Sequence, residues 1–136
     1  MKAITIGSTG AVGRDLLTVL ASDPDFERVD VLVRRLPQLP SEHAEKFHVH
    51  IIDFEHPETW KSLVTGDVLF SSLGTSKKQA GGKQPQWRVD HDYQLAAAKA
   101  ARENGVPKMV VISSLGADPA SSFFYLQMKG KIEKDL

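Results

Sequence analysis

Ala3-Ile4-Thr5-Ile6-Gly7-Ser8-Thr9-Gly10-Ala11-Val12-Gly13 is the stretch on which the fold of this chain turns. Residues 3–6 form a short apolar run of strand character, and glycine then recurs at every third position. Beyond it, Val12, Leu16, Val19 and Leu20 repeat at helical spacing, which predicts a helix resting on a sheet through those four residues. A strand that turns through glycines straight into a helix leaves free backbone N–H groups at the positive end of the helix dipole. No side chain stands in the way, so the junction suits a pyrophosphate. In that reading Gly7 permits the tight exit from the strand, Gly10 lets phosphate approach the backbone, and Gly13 lets the helix pack closely. Ser8 and Thr9 add hydroxyl donors, and Ala11 and Val12 complete the turn. Glycines at such a spacing also make ordinary turns; the strand before and the helix after are what favour a dinucleotide seat.

Working outward, short apolar runs alternate with amphipathic stretches, the pattern of a parallel sheet covered on both faces. Strands are expected at 3–6, 29–33, 49–52, 67–71 and 108–112, a short helix at 58–63, and a loop at 75–84. Pro85 suits the first turn of a long helix that carries Val89, Tyr93, Ala96, Ala97 and Ala100 on one face and stops at Asn104-Gly105. A last helix runs from about residue 122. The expected fold is α/β: a Rossmann-like, doubly wound parallel sheet in strand order 3-2-1-4-5, with three α/β/α layers. The 136 residues make a single dinucleotide-binding domain. The sequence stops within helical pattern, without a glycine or proline stop, so a truncated carboxyl terminus is expected.

Lysine plus arginine and aspartate plus glutamate number 17 each, so no basic field argues for nucleic acid or an anionic membrane. Cysteine is absent, which removes disulfides, thiolate metal sites and cysteine catalysis. No apolar stretch reaches the roughly 18 residues of a membrane span, and the first residues lack a signal-peptide apolar region. A cytoplasmic location is expected on these grounds. The histidines at 43, 48, 50, 56 and 91 show no metal-ligand spacing, so no metal is expected.

Further site residues follow from the strand ends. Where an NAD-binding chain places an acidic residue after the second strand, this one has Arg34 and Arg35. Two guanidinium groups suit a 2′-phosphate, which favours NADP(H) over NAD(H), although they also suit a solvated loop. Asp53 is placed to accept from an adenine amino group or to cap a helix, and Leu73-Gly74 to pass a nicotinamide ribose or simply to turn. Tyr125 and Lys129, four residues apart, share one helix face. A free phenol, with a pKa of about 10, is a poor proton relay at neutral pH unless a cation stands beside it. Ser113 and Ser114 end the preceding strand, at the sheet edge where open α/β folds bind ligands.

Taken together, residues 7–13, Arg34-Arg35, Leu73-Gly74-Thr75, Val89-Asp90-His91-Asp92-Tyr93, Ser113-Ser114-Leu115-Gly116-Ala117 and Phe124-Tyr125-Leu126-Gln127-Met128-Lys129-Gly130 resemble the atypical short-chain dehydrogenase/reductases. Within them the chain is most similar to the Tat-interacting-protein branch of NAD(P)H-binding oxidoreductases. The resemblance implies a Rossmann-like sheet, NADP(H), a catalytic tyrosine at Tyr125, a catalytic lysine at Lys129 and a catalytic serine at Ser114, with Ser113 as its neighbour. The implied reaction moves hydride to or from a small carbonyl or alcohol substrate. A non-catalytic NADP(H)-binding redox sensor is the alternative, and it has no need of the serine–tyrosine–lysine set. Family members continue past residue 136 into a substrate region, so substrate identity, reaction direction and oligomeric state stay open.

Overall fold

Strand β1 (Lys2–Ile6) lies at the centre of a five-stranded parallel sheet. Beside it run β2 (Arg28–Val33), β3 (Phe47–Ile51), β4 (Val68–Ser71) and β5 (Lys108–Val111), in the order β3-β2-β1-β4-β5. This is the doubly wound order expected from the sequence. The structure is a computed structural model and describes residues 1–73, 81–112 and 117–136. Ala3, Ile4 and Ile6 are fully buried, as befits a central parallel strand with both faces covered. Register places Ile4 between Asp30 and Leu69, and Ile6 between Leu32 and Ser71. Because the chain leaves β1 for one side of the sheet and later returns on the other, a crevice opens at the carboxyl ends of β1 and β4.

Each face has its own core. Helix α1 (Ala11–Ser22) covers one face, where Leu17, Leu20 and Ala21 pack on Ala3, Val29, Val31 and Val68. Its rotation corrects the expected contact face. Val12 and Val19 are exposed, while Gly13, Leu17, Leu20 and Ala21 are buried. Gly13 decides this, because only a glycine lets the helix backbone come against the Gly7 carbonyl. With that contact made, Leu17 and Leu20 point inward, and burying each contributes about 2 kcal/mol.

The opposite face is covered by α2 (Lys83–Trp87), a π turn (Arg88–Tyr93) and α3 (Gln94–Glu103), which follow one another directly. Pro85 sits in the first turn of α2, as expected. The wide turn replaces the uniform long helix the sequence predicts, and it buries Asp90 and His91. Ala97, Ala100 and Ala101 of α3 pack on Ile4, Ile6 and Leu69. The expected helix at 58–63 is two 3-10 turns, Pro57–Thr59 and Lys61–Leu63, wrapped around the buried Trp60. Trp60 satisfies its indole N–H on the Asp53 carbonyl at 2.9 Å.

Helix α4 (Phe124–Asp135) packs against the π turn and buries Met128, Lys129, Gly130 and Ile132. Gly130 admits the preceding loop: a Cβ there would lie 2.3 Å from the Asp118 carbonyl carbon and 2.4 Å from Pro119 N. The Asp118 N–H donates to the Leu126 carbonyl at 3.0 Å across the same contact.

Candidate functional site

The three glycines of the β1–α1 turn differ in what surrounds them. Gly7 has φ +85°, and a Cβ on it would meet Leu73 N at 2.4 Å. A Cβ on Gly13 would stand 2.2 Å from the Gly7 carbonyl oxygen. Both glycines are therefore demanded by the fold itself. Gly10 is not: its Cβ would meet only the Gly7 oxygen at 3.6 Å, an ordinary contact. The space beside Gly10 thus stays open toward the crevice, as close approach of a phosphate requires. Gly10 is also the N-cap of α1, with no side-chain cap and no acidic residue in the first turn, so the positive helix end is left for an anion. Ser8 is buried with its hydroxyl paired to Thr5 Oγ1 at 2.9 Å, whereas Thr9 is exposed.

A cavity of about 590 Å³ begins at this turn. Gly7, Ser8, Thr9 and Gly10 line one end and Arg34 and Arg35 another, with Leu73 beside them. Phe54, Arg88, Val89 and Tyr93 also line it, and none of these has a cofactor role in the sequence reading. Phe54 and Tyr93 stack with ring centroids 5.3 Å apart. Glu55 accepts a hydrogen bond from the Tyr93 hydroxyl and lies 3.3 Å from Arg88 Nη1. Burial first, and the Glu55 carboxylate second, push the Tyr93 phenol up to about 12. The advance signals for this wall were the helical spacing of Val89 and Tyr93 and their place in one of the stretches that carry the family resemblance.

Ala11 and Val12 are exposed but do not line the cavity, and neither does Asp53. The Asp53 carboxylate accepts from the Glu55 N–H at 3.0 Å, a local turn contact; the 3-10 turn that follows has His56 as its N-cap, so Asp53 does not form the alternative helix cap. Gly74, Ser113 and Ser114 lie outside the described residues.

Tyr125 and Lys129 share one face of α4, as their spacing requires, with the lysine ammonium 5.5 Å from the phenol ring centroid. They do not line the cavity. Tyr125 is exposed, while Lys129 is buried and lies 3.5 Å from the buried Asp90 carboxylate of the π turn. At the far end of α4, Asp135 lies 2.7 Å from His91 Nε2 and 3.0 Å from Lys131 Nζ. Hydrogen bonds from these two groups hold the Asp135 carboxyl below the ordinary range. Among the described residues, no group of three or more histidine, aspartate or glutamate side chains is arranged to hold a metal, and no helix is long and apolar enough to cross a membrane.

Residues 7–134 match the family model for NAD(P)H-binding proteins. The chain belongs to that NAD(P)H-binding family. A nicotinamide dinucleotide is therefore its ligand class, and the open cradle at Gly10 fits one. Among curated proteins it is similar to the mitochondrial protein FMP52 of Eremothecium gossypii, at 40% identity over 138 residues, covering 100% of this chain and 59% of the relative. It is also similar to the mitochondrial protein FMP52 of Saccharomyces cerevisiae, at 37% over 140 residues with 100% and 59% covered. The chain thus spans about three fifths of the length of these relatives.

Among solved structures, the oxidoreductase ylbE of Lactococcus lactis superposes with a TM-score of 0.76 at 21% identity, covering 98% of this chain and 61% of that one. The UDP-glucuronic acid 4-epimerase of Bacillus cereus in complex with NAD gives 0.75 at 18%, with 99% and 51% covered. These likenesses show the fold, and the family match shows NAD(P)H binding. One expectation is overturned. The FMP52 relatives are named as mitochondrial, which contradicts the cytoplasmic expectation. Composition lacks the means to decide location, because targeting is read by receptors rather than by the folded domain.

Proposed function

We propose that this NAD(P)H-binding protein is an NADP(H)-dependent oxidoreductase acting on a small carbonyl or alcohol, and that residues 1–136 work as one dinucleotide-binding domain. The observation that carries the cofactor choice is the continuity of one cavity from the glycine turn to Arg34 and Arg35. Both arginines are exposed, and neither pairs with a carboxylate among the described residues. Their forked donors are available to a 2′-phosphate and would be poorly used by a bare hydroxyl.

A bound nicotinamide dinucleotide supplies or accepts the hydride at the carbonyl carbon. Tyr125 gives its phenol proton to the carbonyl oxygen in reduction and takes it back in oxidation. Lys129 stands where its charge offsets that of the phenolate left behind, and it donates to the nicotinamide ribose. Ser114, with Ser113 beside it, orients the substrate oxygen. The mitochondrial relatives support a mitochondrial place of work for this chain.

Fluorescence titration with NADPH and NADH tests the cofactor half. We expect NADPH to bind tighter by about tenfold or more, a charge-assisted contact being the difference. Replacing both arginines by alanine should erase that preference. Gly10→Val should remove binding while the fold persists. The catalytic half is tested by NADPH oxidation with a panel of aldehydes, ketones and quinones. Activity that survives Tyr125→Phe would overturn the catalytic assignment. Binding without turnover on any substrate would leave the redox-sensor alternative, and no binding at all would sink the cofactor assignment too.

A further inference from the structure

We infer that Asp90, presented by the π turn, is a positioning residue that fixes the Lys129 ammonium for the nicotinamide half of the dinucleotide. This rests on the reading that Lys129 holds the nicotinamide ribose. Asp90 is 1% exposed and Lys129 5%, with carboxylate and ammonium 3.5 Å apart. Taking two opposite charges out of water is unfavourable, and their attraction in the interior barely repays it. Apolar side chains of similar volume would hold the helices together as well or better. Stability alone therefore does not account for the pair; a requirement for a charge at a fixed place does.

The local backbone points the same way. Asp90 sits in a π turn between two α-helical segments, an arrangement less favourable than continuous α-helix and concentrated at functional sites. The turn is itself held by buried polar groups. Gln94 Nε2 donates to the Asp90 carbonyl at 2.8 Å, and Gln94 Oε1 accepts from the Ser71 hydroxyl at 2.5 Å. Gln94 is fully buried, Ser71 nearly so, and Ser71 is the last residue of β4, at the carboxyl edge of the sheet. A continuous polar chain thus runs from that edge through Gln94 and Asp90 to Lys129, whose ammonium lies 5.5 Å from the Tyr125 ring centroid. It ties the lysine to the sheet rim rather than to its own helix alone.

The experiment compares the affinities of the full chain for NADPH and for 2′,5′-ADP, which carries only the adenosine half. It also follows the emission of bound NADPH, which reports the nicotinamide surroundings. Asp90→Asn should weaken NADPH about tenfold, the loss of one charged contact, and move the emission toward that of free NADPH. It should leave 2′,5′-ADP within about twofold. A merely structural pair would change both ligands alike. Lys129→Met is the reference: if it weakens NADPH selectively while Asp90→Asn does not, the positioning role of Asp90 is overturned and the lysine reading stands. If neither variant separates the two ligands, both fall. Should Asp90→Asn fail to fold, Asp90→Glu decides the matter, because it keeps the charge and displaces the ammonium. An unchanged ratio of the two affinities in that variant overturns the inference.

Discussion

Asp30 and Asp90 are both buried carboxylates on charged partners, yet they are built in opposite ways. Asp30, in β2, meets three basic side chains from three strands: Arg28 Nε at 3.1 Å, Lys2 Nζ at 3.2 Å and His50 Nε2 at 2.8 Å. Those partners keep part of their surface in water, so each is solvated even while it serves the carboxylate. Asp90 faces Lys129, a cation that is itself buried. A carboxylate with several half-solvated partners is robust, since losing one leaves the others. A pair sealed from water has little solvent to stand in for either member. The first arrangement suits a sheet that must merely stay folded, the second a charge that must stay in one place.

The largest effect should follow from breaking the sealed pair. Lys129→Met removes the buried cation beside Asp90 and should lower stability by about 3–5 kcal/mol in urea denaturation. The neutral pair Asp90→Asn/Lys129→Met should recover most of that loss, because no buried charge remains. Failure of the double variant to recover would show that the side chains matter for their packing rather than their charge. Lys2→Met at the other carboxylate should lower stability by only about 1 kcal/mol, since Arg28 and His50 persist. A loss equal to that of Lys129→Met would erase the contrast.

Acid sharpens the same comparison. Burial pushes the Asp30 carboxyl up, but hydrogen bonds from Arg28, His50 and Lys2 together prevail and leave it below the ordinary range. A group lowered in the folded state contributes stability in full above its unfolded value of about 4, and that contribution fades as pH falls through the folded value. Stability followed by urea denaturation should therefore drop below about pH 4 in the parent and less steeply in Asp30→Asn. The smallest effect concerns the cavity wall. Tyr93, raised to about 12 by burial and by Glu55, contributes stability that is complete below its unfolded value of about 10 and is lost as pH rises through the folded one. In Tyr125→Phe, where Tyr93 is the only tyrosine left, ultraviolet titration should show a single phenol ionising near that high value. Ionisation near 10 instead would mean that Glu55 and burial do not act on it.

Much of the fold was legible because it is written locally. Strand order and the glycine turn follow from apolar runs and glycine spacing, and neither depends on a distant partner. The rotation of α1 differs from the expected one for the opposite reason. Val12 and Val19 fit a helical stripe as well as Leu17 and Leu20 do, and the choice rests on Gly13 meeting the Gly7 carbonyl. The π turn has no local signature, because residues 83–103 have good helical periodicity throughout. Its cause is tertiary: Asp90 and His91 must reach partners on α4, 39 and 44 residues on. Phe54, Arg88 and Tyr93 were missed as cavity residues because strand ends and helix faces converge there only after folding.

The amino-acid sequence alone settled that a parallel, doubly wound sheet would carry a phosphate-ready turn, since hydrophobic period and backbone freedom are properties of neighbouring residues. What faces that turn, and which acid holds the lysine of the last helix, was settled by tertiary packing. Burial turns two ordinary charges, far apart in the chain, into an obligate pair, and no local pattern records that.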